Sequence, residues 1–260
     1  LMALVSSDHV IGHEKAFHDG VKAGVTAAEK GYMVSLAVRA QSPETGYGYI
    51  QRGEPLSEKD TFKIERFIEK PEKPLAERFV AEGGYYWNAG LFVFHSQAYL
   101  DELEAHRPEM VTQCRETVRA AQEDLDFIRL GEESFQAIMP DSIDYAVMET
   151  TAKAAMVAVE NMAWSDVGSW KSLWEVASQK DENGNVFIGD VRHQDASGNY
   201  VRTDQKQMVA LAGVKDMVVV VTRDAVLVAH KDQSQDVKKI VEKLAAEKRS
   251  EAIHHRLVYR

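Results

Sequence analysis

Two apolar runs separated by one helical segment constrain the start of this chain most strongly. Residues 1–5 are apolar throughout, the pattern of a strand covered on both faces. The run closes on Ser6, Ser7, Asp8 and His9. The next segment places Phe17, Val21, Val25 and Ala28 on one helical face, and Gly31 stops it. Residues 33–38 form a second apolar run. Strand, helix and strand make a βαβ unit, which predicts parallel pairing. Asp8 then sits at the carboxyl end of a strand, where open α/β sheets gather ligands, or else it caps the helix. A strand buried on both faces needs neighbours. The chain therefore reads as the later part of a longer protein or as a natural truncation.

A second acidic turn lies far along the chain, in Trp164-Ser165-Asp166-Val167-Gly168-Ser169-Trp170. It follows an apolar run at 155–159, read as a buried strand, and precedes a helical segment at 169–177. An acidic residue on a Gly- and Ser-containing turn between strand and helix suits a metal or phosphate ligand. Capping of the helix by Ser165 or Asp166 is the plainer reading.

Between the two turns, glycines and tyrosines alternate in Pro43-Glu44-Thr45-Gly46-Tyr47-Gly48-Tyr49-Ile50. Such a stretch either lets something approach the backbone closely or makes a simple hairpin turn. Phe67-Ile68-Glu69-Lys70-Pro71 ends a strand, because Pro71 and Pro74 prevent its continuation. Glu69 and Lys70 form a solvated charge pair, or supply one acceptor for hydroxyls and one cation for a phosphate. A helix over 74–82 follows. The apolar run 85–94 is interrupted by Asn88-Ala89-Gly90. A buried Asn needs partners, and a glycine inside a strand marks a bulge or a close ligand. Helices are predicted at 97–106, 108–124 and 142–149.

From about residue 181 the texture changes to short β-rich runs at 185–190, 200–203, 208–211, 217–222 and 225–229, separated by turn signals. They predict a small all-β unit. A final helix over 235–247 carries Val237, Ile240, Val241 and Leu244 on one face, read as packing. The domains are placed at 1–178, 179–232 and 233–260. His9 and His13 have helical i, i+4 spacing but lack further ligands around them, so they read as ordinary helix histidines.

Composition limits function. With 31 basic and 41 acidic residues the net charge is −10, which argues against nucleic acid as a partner. It leaves room for a phosphorylated substrate, since a few lysines and a metal ion invert the field locally. No apolar run is long enough for a bilayer, and one cysteine, Cys114, fits a reducing cytoplasm.

Six stretches together resemble the bacterial mannose-1-phosphate guanylyltransferases, among the sugar nucleotidyltransferases. They are SDHVI from Ser7, PETGYGYI from Pro43, FIEKP from Phe67, WNAGLF from Trp87, SIDYAVME from Ser142 and WSDVGSW from Trp164. Each is weak alone, but their order and intervals agree over most of residues 1–175. The resemblance implies an α/β class, with a Rossmann-like, GT-A-type mixed sheet that is N-terminally incomplete. A small β-helix-like unit and a C-terminal helix follow it. It implies transfer of GMP from GTP to mannose 1-phosphate, giving GDP-mannose and pyrophosphate, in a cytoplasmic homodimer. Asp8 and Asp166 match the metal-binding aspartates, with Mg2+ as the cofactor. Glu69 and Asn88 match residues that hold mannose hydroxyls, and Lys70 one that meets the sugar phosphate. The resemblance also implies that Gly46, Tyr47, Gly48 and Gly90 are substrate-binding residues around the sugar. The family's glycine-rich G-x-G-x-R…P-K loop is not in these 260 residues, so guanine and triphosphate contacts stay unassigned. Ser6-Ser7 also replaces the usual proline-alanine pair. The segment 253–260 resembles a linker toward an isomerase domain. Two other readings stay open: transfer to another sugar 1-phosphate, and a non-catalytic sugar-phosphate-binding or assembly module.

Overall fold

The structure is a computed structural model describing residues 1–203 and 207–252, so the linker-like segment 253–260 lies outside the described residues. It divides into two compact units, Leu1–Trp164 and Ser165–Arg260. Among the described residues no helix is long and apolar enough to cross a membrane.

The first unit begins with β1 (Met2–Leu4), β2 (Val10–Ile11), α1 (Glu14–Ala28) and β3 (Met33–Arg39). It continues with β4 (Tyr49–Pro55), β5 (Thr61–Ile68), α2 (Lys73–Glu82) and β6 (Tyr85–Phe94). Next come α3 (Ser96–His106), α4 (Pro108–Arg119), β7 (Gln122–Asp124), β8 (Phe127–Arg129) and α5 (Glu132–Gln136). A π-helical turn at Asp144–Met148 leads to β9 (Ala154–Ala158). Six strands form one sheet in the order β1-β6-β3-β9-β5-β4, and β4 also pairs with β6.

The sheet is mixed, as the family resemblance implies, and corrects the parallel pairing read from the βαβ pattern. β6 lies antiparallel between β1 and β3, while β3 and β9 run parallel. Residues 1–5 also differ from the reading of a two-faced buried strand. Among the described residues β1 pairs with β6 alone, and Met2 and Leu4 stay more than 40% exposed. Alternation along β3 builds a core on each face of the sheet. Val34, Leu36 and Val38 pack with α1 on one side, and Met33 and Ala37 pack under Leu103, Val111 and Val147 on the other. α1 lies close to the sheet because a Cβ on Gly20 would strike Val159.

The helix read at 108–124 stops at Arg119, and the β7–β8 hairpin follows with Phe127 and Ile128 in solvent. The helix read at 142–149 is the π-helical turn, in which the Glu149 N–H donates to the Asp144 carbonyl at 2.9 Å.

The second unit holds α6 (Trp170–Val176), then parallel strands in two short sheets. Strands β10 (Val186–Ile188), β12 (Tyr200–Thr203) and β14 (Met217–Val221) stack in parallel in one sheet. Strands β11 (Val191–Gln194) and β13 (Val209–Ala212) pair in parallel in the other. This is the β-helix-like arrangement, closed by β15 (Val226–His230) antiparallel to β14. Asparagines bridge its turns. Asn199 Nδ2 donates to Asn185 Oδ1 at 2.9 Å, and Asn199 Oδ1 accepts from the Met217 N–H at 2.9 Å. In the final helix α7 (Val237–Ala246), Val237 and Leu244 of the apolar stripe are half-buried, while Ile240 and Val241 stay exposed.

Candidate functional site

The candidate site centres on an irregularity in β6. Leu36 of β3 faces Leu91, but the next residue, Ala37, faces Asn88, so Ala89 and Gly90 are extra residues on β6. A bulge of this kind bends the strand, and Gly90 takes φ 64, a conformation that glycine adopts without strain. Asn88 is 8% exposed, and its amide is satisfied from three directions. Its Oδ1 accepts from Ser35 Oγ at 2.8 Å and from the Gly90 N–H at 3.1 Å. Its Nδ2 donates to Asp144 Oδ1 at 2.8 Å. The Asn88 backbone N–H reaches the Gly48 carbonyl at 2.8 Å.

Glu69 and Lys70 leave the end of β5, with Lys70 at φ 47. They are more than a solvated pair. Lys70 Nζ meets Glu69 Oε1 at 2.9 Å, with the Glu69 side chain only 8% exposed and that of Lys70 57% exposed. The Glu69 backbone N–H donates to Glu149 Oε1 at 2.9 Å. Glu69 Oε2 is buried and has no hydrogen-bond partner. A Cβ on Gly48 would collide with that oxygen, so the glycine makes room for the carboxylate. Of the two readings of the 43–50 stretch, close approach is the one found at Gly48. Burial pushes the Glu69 carboxyl up, against the Lys70 hydrogen bond, and the charges of Asp144 and Glu149 add to the rise. Burial also raises the Asp144 carboxyl, and the Glu69 hydrogen bond raises Lys70.

Aromatic rings wall the same region. Tyr47 packs edge-on against Trp87 and against Trp164, each at 5.2 Å between centroids. Trp164 Nε1–H donates to His9 Nδ1 at 3.1 Å. Gly46 lies half-buried in the turn before β4.

In the second unit, Asp166 and Ser165 are not the caps of α6. Ser169 holds that place, its Oγ accepting from the Ser172 N–H at 3.1 Å. Ser165 Oγ and Asp166 Oδ1 instead accept from the N–H groups of Val167 and Gly168, at 3.2 and 3.0 Å. Val167, a β-branched residue, is held at φ 52, an outlier of the kind that gathers at functional turns. Asp8 lies exposed on the turn after β1. Among the described residues no three His, Cys, Asp or Glu side chains gather into a protein-only metal cage. A single carboxylate such as that of Asp8 or of Asp166 is a donor of the type magnesium takes, one or two at a time, with phosphate oxygens and water completing the shell.

The structure thus brings Gly48, Glu69, Lys70, Asn88 and Gly90 to one corner of the sheet, with Tyr47 beside them. Ser35, Asp144, Glu149, Trp164 and Trp87 join them without having been assigned roles from sequence. The SIDYAVME and WSDVGSW stretches were the available signals for Asp144, Glu149 and Trp164. A cavity of about 590 Å3 lies elsewhere, between α1 and the end of β9, and none of the candidate residues lines it.

The nucleotidyl transferase family model matches residues 1–183. A MannoseP isomerase/GMP-like beta-helix domain matches residues 191–244. Mannose-1-phosphate guanylyltransferase of Klebsiella pneumoniae is 44% identical over 262 residues, covering 100% of this chain and 55% of that protein. The Escherichia coli K12 mannose-1-phosphate guanylyltransferase is 46% identical over 263 residues, covering 100% of this chain and 54% of that protein. The chain therefore spans about half the length of the curated relatives it matches. A crystal structure from Thermus thermophilus, described as a mannose-1-phosphate geranyltransferase, superposes with TM-score 0.77 at 31% identity, covering 94% of this chain and 69% of that one. A mannose-6-phosphate isomerase structure from Helicobacter pylori superposes with TM-score 0.57 at 34% identity, covering 63% of each chain. With the family match running through the whole mixed sheet, this chain belongs to the nucleotidyl transferase family.

Proposed function

We propose that this chain binds mannose 1-phosphate and acts in the transfer of GMP from GTP to it, giving GDP-mannose and pyrophosphate. One observation carries the reading: Glu69 Oε2 is buried against Gly48 with no donor. An unsatisfied buried acceptor costs about 1–3 kcal/mol, and a sugar hydroxyl arriving there removes that cost. Lys70, its ammonium beside Glu69 yet half exposed, is suited to the phosphate. Asn88 holds the bulge and keeps one Nδ2 hydrogen for a hydroxyl. Gly46, Tyr47, Gly48 and Gly90 form the backbone and ring surface around the sugar.

Asp8 and Asp166 would hold Mg2+. When bound, it neutralises phosphate charge. The likeness to mannose-1-phosphate guanylyltransferases supports GTP as the donor, and a cytoplasmic site belongs to the same reading. So does a homodimer, supported by the uncovered apolar stripe at Ile240 and Val241 of α7.

The test mixes the chain with GTP, magnesium and mannose 1-phosphate and follows pyrophosphate. The reading predicts release, and a rate lowered roughly 100-fold by Asp166→Asn, the scale of removing one charge-stabilising group. No release from the wild-type chain counts against its catalysis. Full rate in Asp166→Asn removes the metal assignment.

A further inference from the structure

In the first unit, the tautomer of His9 is dictated by a neighbour. Trp164 Nε1 can only donate, so its 3.1 Å bond to His9 Nδ1 requires that nitrogen to be the acceptor. The neutral imidazole then carries its proton on Nε2. The ring stands at 77° to the Trp164 plane with centroids 5.5 Å apart, so the indole fixes its orientation as well. The Trp164 ring is in turn braced by Tyr47, which leans on Trp87. His9 is half-buried, and its Cε1, the carbon between the two nitrogens, lies 3.6 Å from where a Cβ on Gly90 would stand. The His9 ring therefore borders the β6 bulge, where the Asn88 backbone N–H bonds the carbonyl of Gly48, the residue against which Glu69 Oε2 rests.

We propose that His9 is a ligand-contacting residue that donates its Nε2–H to an oxygen of the bound sugar phosphate, with Trp164 as the positioning residue that fixes the tautomer. The pairing gives the site complementary chemistry across the bulge: an acceptor at Glu69 and a donor of one defined orientation at His9. A histidine free to exchange tautomers would present a donor there only part of the time. The inference rests on the sugar-phosphate reading of the site above. The ligand oxygen is either a sugar hydroxyl or a phosphate oxygen, and the two sources are separable by the probe used.

Calorimetric titration of mannose 1-phosphate into the full chain tests the proposal. His9→Phe, which keeps a planar ring without a donor, lowers affinity about tenfold, the loss of one hydrogen bond to a charged or hydroxyl oxygen. His9→Gln, whose side-chain amide restores an N–H near the same place, recovers most of that loss. Trp164→Phe keeps the ring and removes the N–H. Its expected signature is a change in the His9 15N shifts from the single Nε2–H pattern to a mixture, together with weaker binding. A parallel titration with inorganic phosphate that is equally weakened by His9→Phe assigns the contact to phosphate. One that is unaffected, with mannose 1-phosphate weakened, assigns it to a hydroxyl. Unchanged mannose 1-phosphate affinity in a folded His9→Phe chain overturns this inference alone. A wild-type chain that binds no mannose 1-phosphate overturns the site reading and this inference together.

Discussion

Asn88 Nδ2 and Asp144 Oδ1 meet at 2.8 Å, joining the bulge of β6 to the π-helical turn 56 residues later. Asn88 is thereby held from both sides of its amide, with Ser35 on the other. Asp144→Ala leaves a buried N–H without a partner, at a cost of about 2 kcal/mol. For a chain of this size that lowers the midpoint of thermal unfolding by about 4–8 °C. Circular dichroism melts check it, and an unchanged midpoint would show that the amide finds another acceptor.

Gly48 separates the β4 backbone from Glu69 Oε2, and any side chain there must displace the carboxylate. Gly48→Ala is expected to weaken mannose 1-phosphate binding about tenfold or more, since it moves the acceptor assigned to a hydroxyl. The melting temperature should change less than the affinity. Equal affinities for Gly48→Ala and wild type would separate Glu69 from ligand binding.

The acidity of the site gives a signed pH prediction. Burial holds the Glu69 and Asp144 carboxyls above their ordinary values of 4.5 and 3.8. A raised folded-state value means that the fold holds the proton more tightly than the unfolded chain does. The stability from these groups is fully present below those ordinary values and is lost as pH rises through the raised ones. Glu69→Gln, neutral throughout, should therefore gain on wild type between pH 4 and pH 7 in thermal melts. A difference that stays constant or falls over that range would contradict the assignment.

Much of this was legible in the sequence, and each exception has its own cause. α1 and β3 could be read from periodicity because local pattern specifies them. The bulge could be read too, since Asn88 and Gly90 break an apolar run. Asp144 was different. Its role depends on a π-turn that delivers it to a residue 56 positions away, and no local spacing encodes that. Strand β11 escaped notice because Val191–Gln194 carries mostly polar, exposed residues. At the acidic turn, local propensity misled: Ser169 caps α6, while Asp166 bonds its own turn.

In the second unit, Lys231 is 7% exposed, with Nζ 3.3 Å from the Trp174 ring centroid and 3.0 Å from Asp216 Oδ1. A desolvated cation over indole contributes about 2 kcal/mol. Lys231→Met keeps most of the aliphatic stem and loses the charge, so denaturation followed by tryptophan fluorescence should shift by about that amount. A shift near zero would assign the stability of this corner to the Trp174 bond with the Gly184 carbonyl at 2.8 Å.

The most direct measurement is calorimetric titration of mannose 1-phosphate and of glucose 1-phosphate into wild-type chain and into Glu69→Gln. The expected result is saturable binding of mannose 1-phosphate by the wild type, weaker binding of glucose 1-phosphate, and an affinity about tenfold lower in Glu69→Gln. No binding by the wild-type chain, or an affinity that Glu69→Gln leaves unchanged, would contradict it.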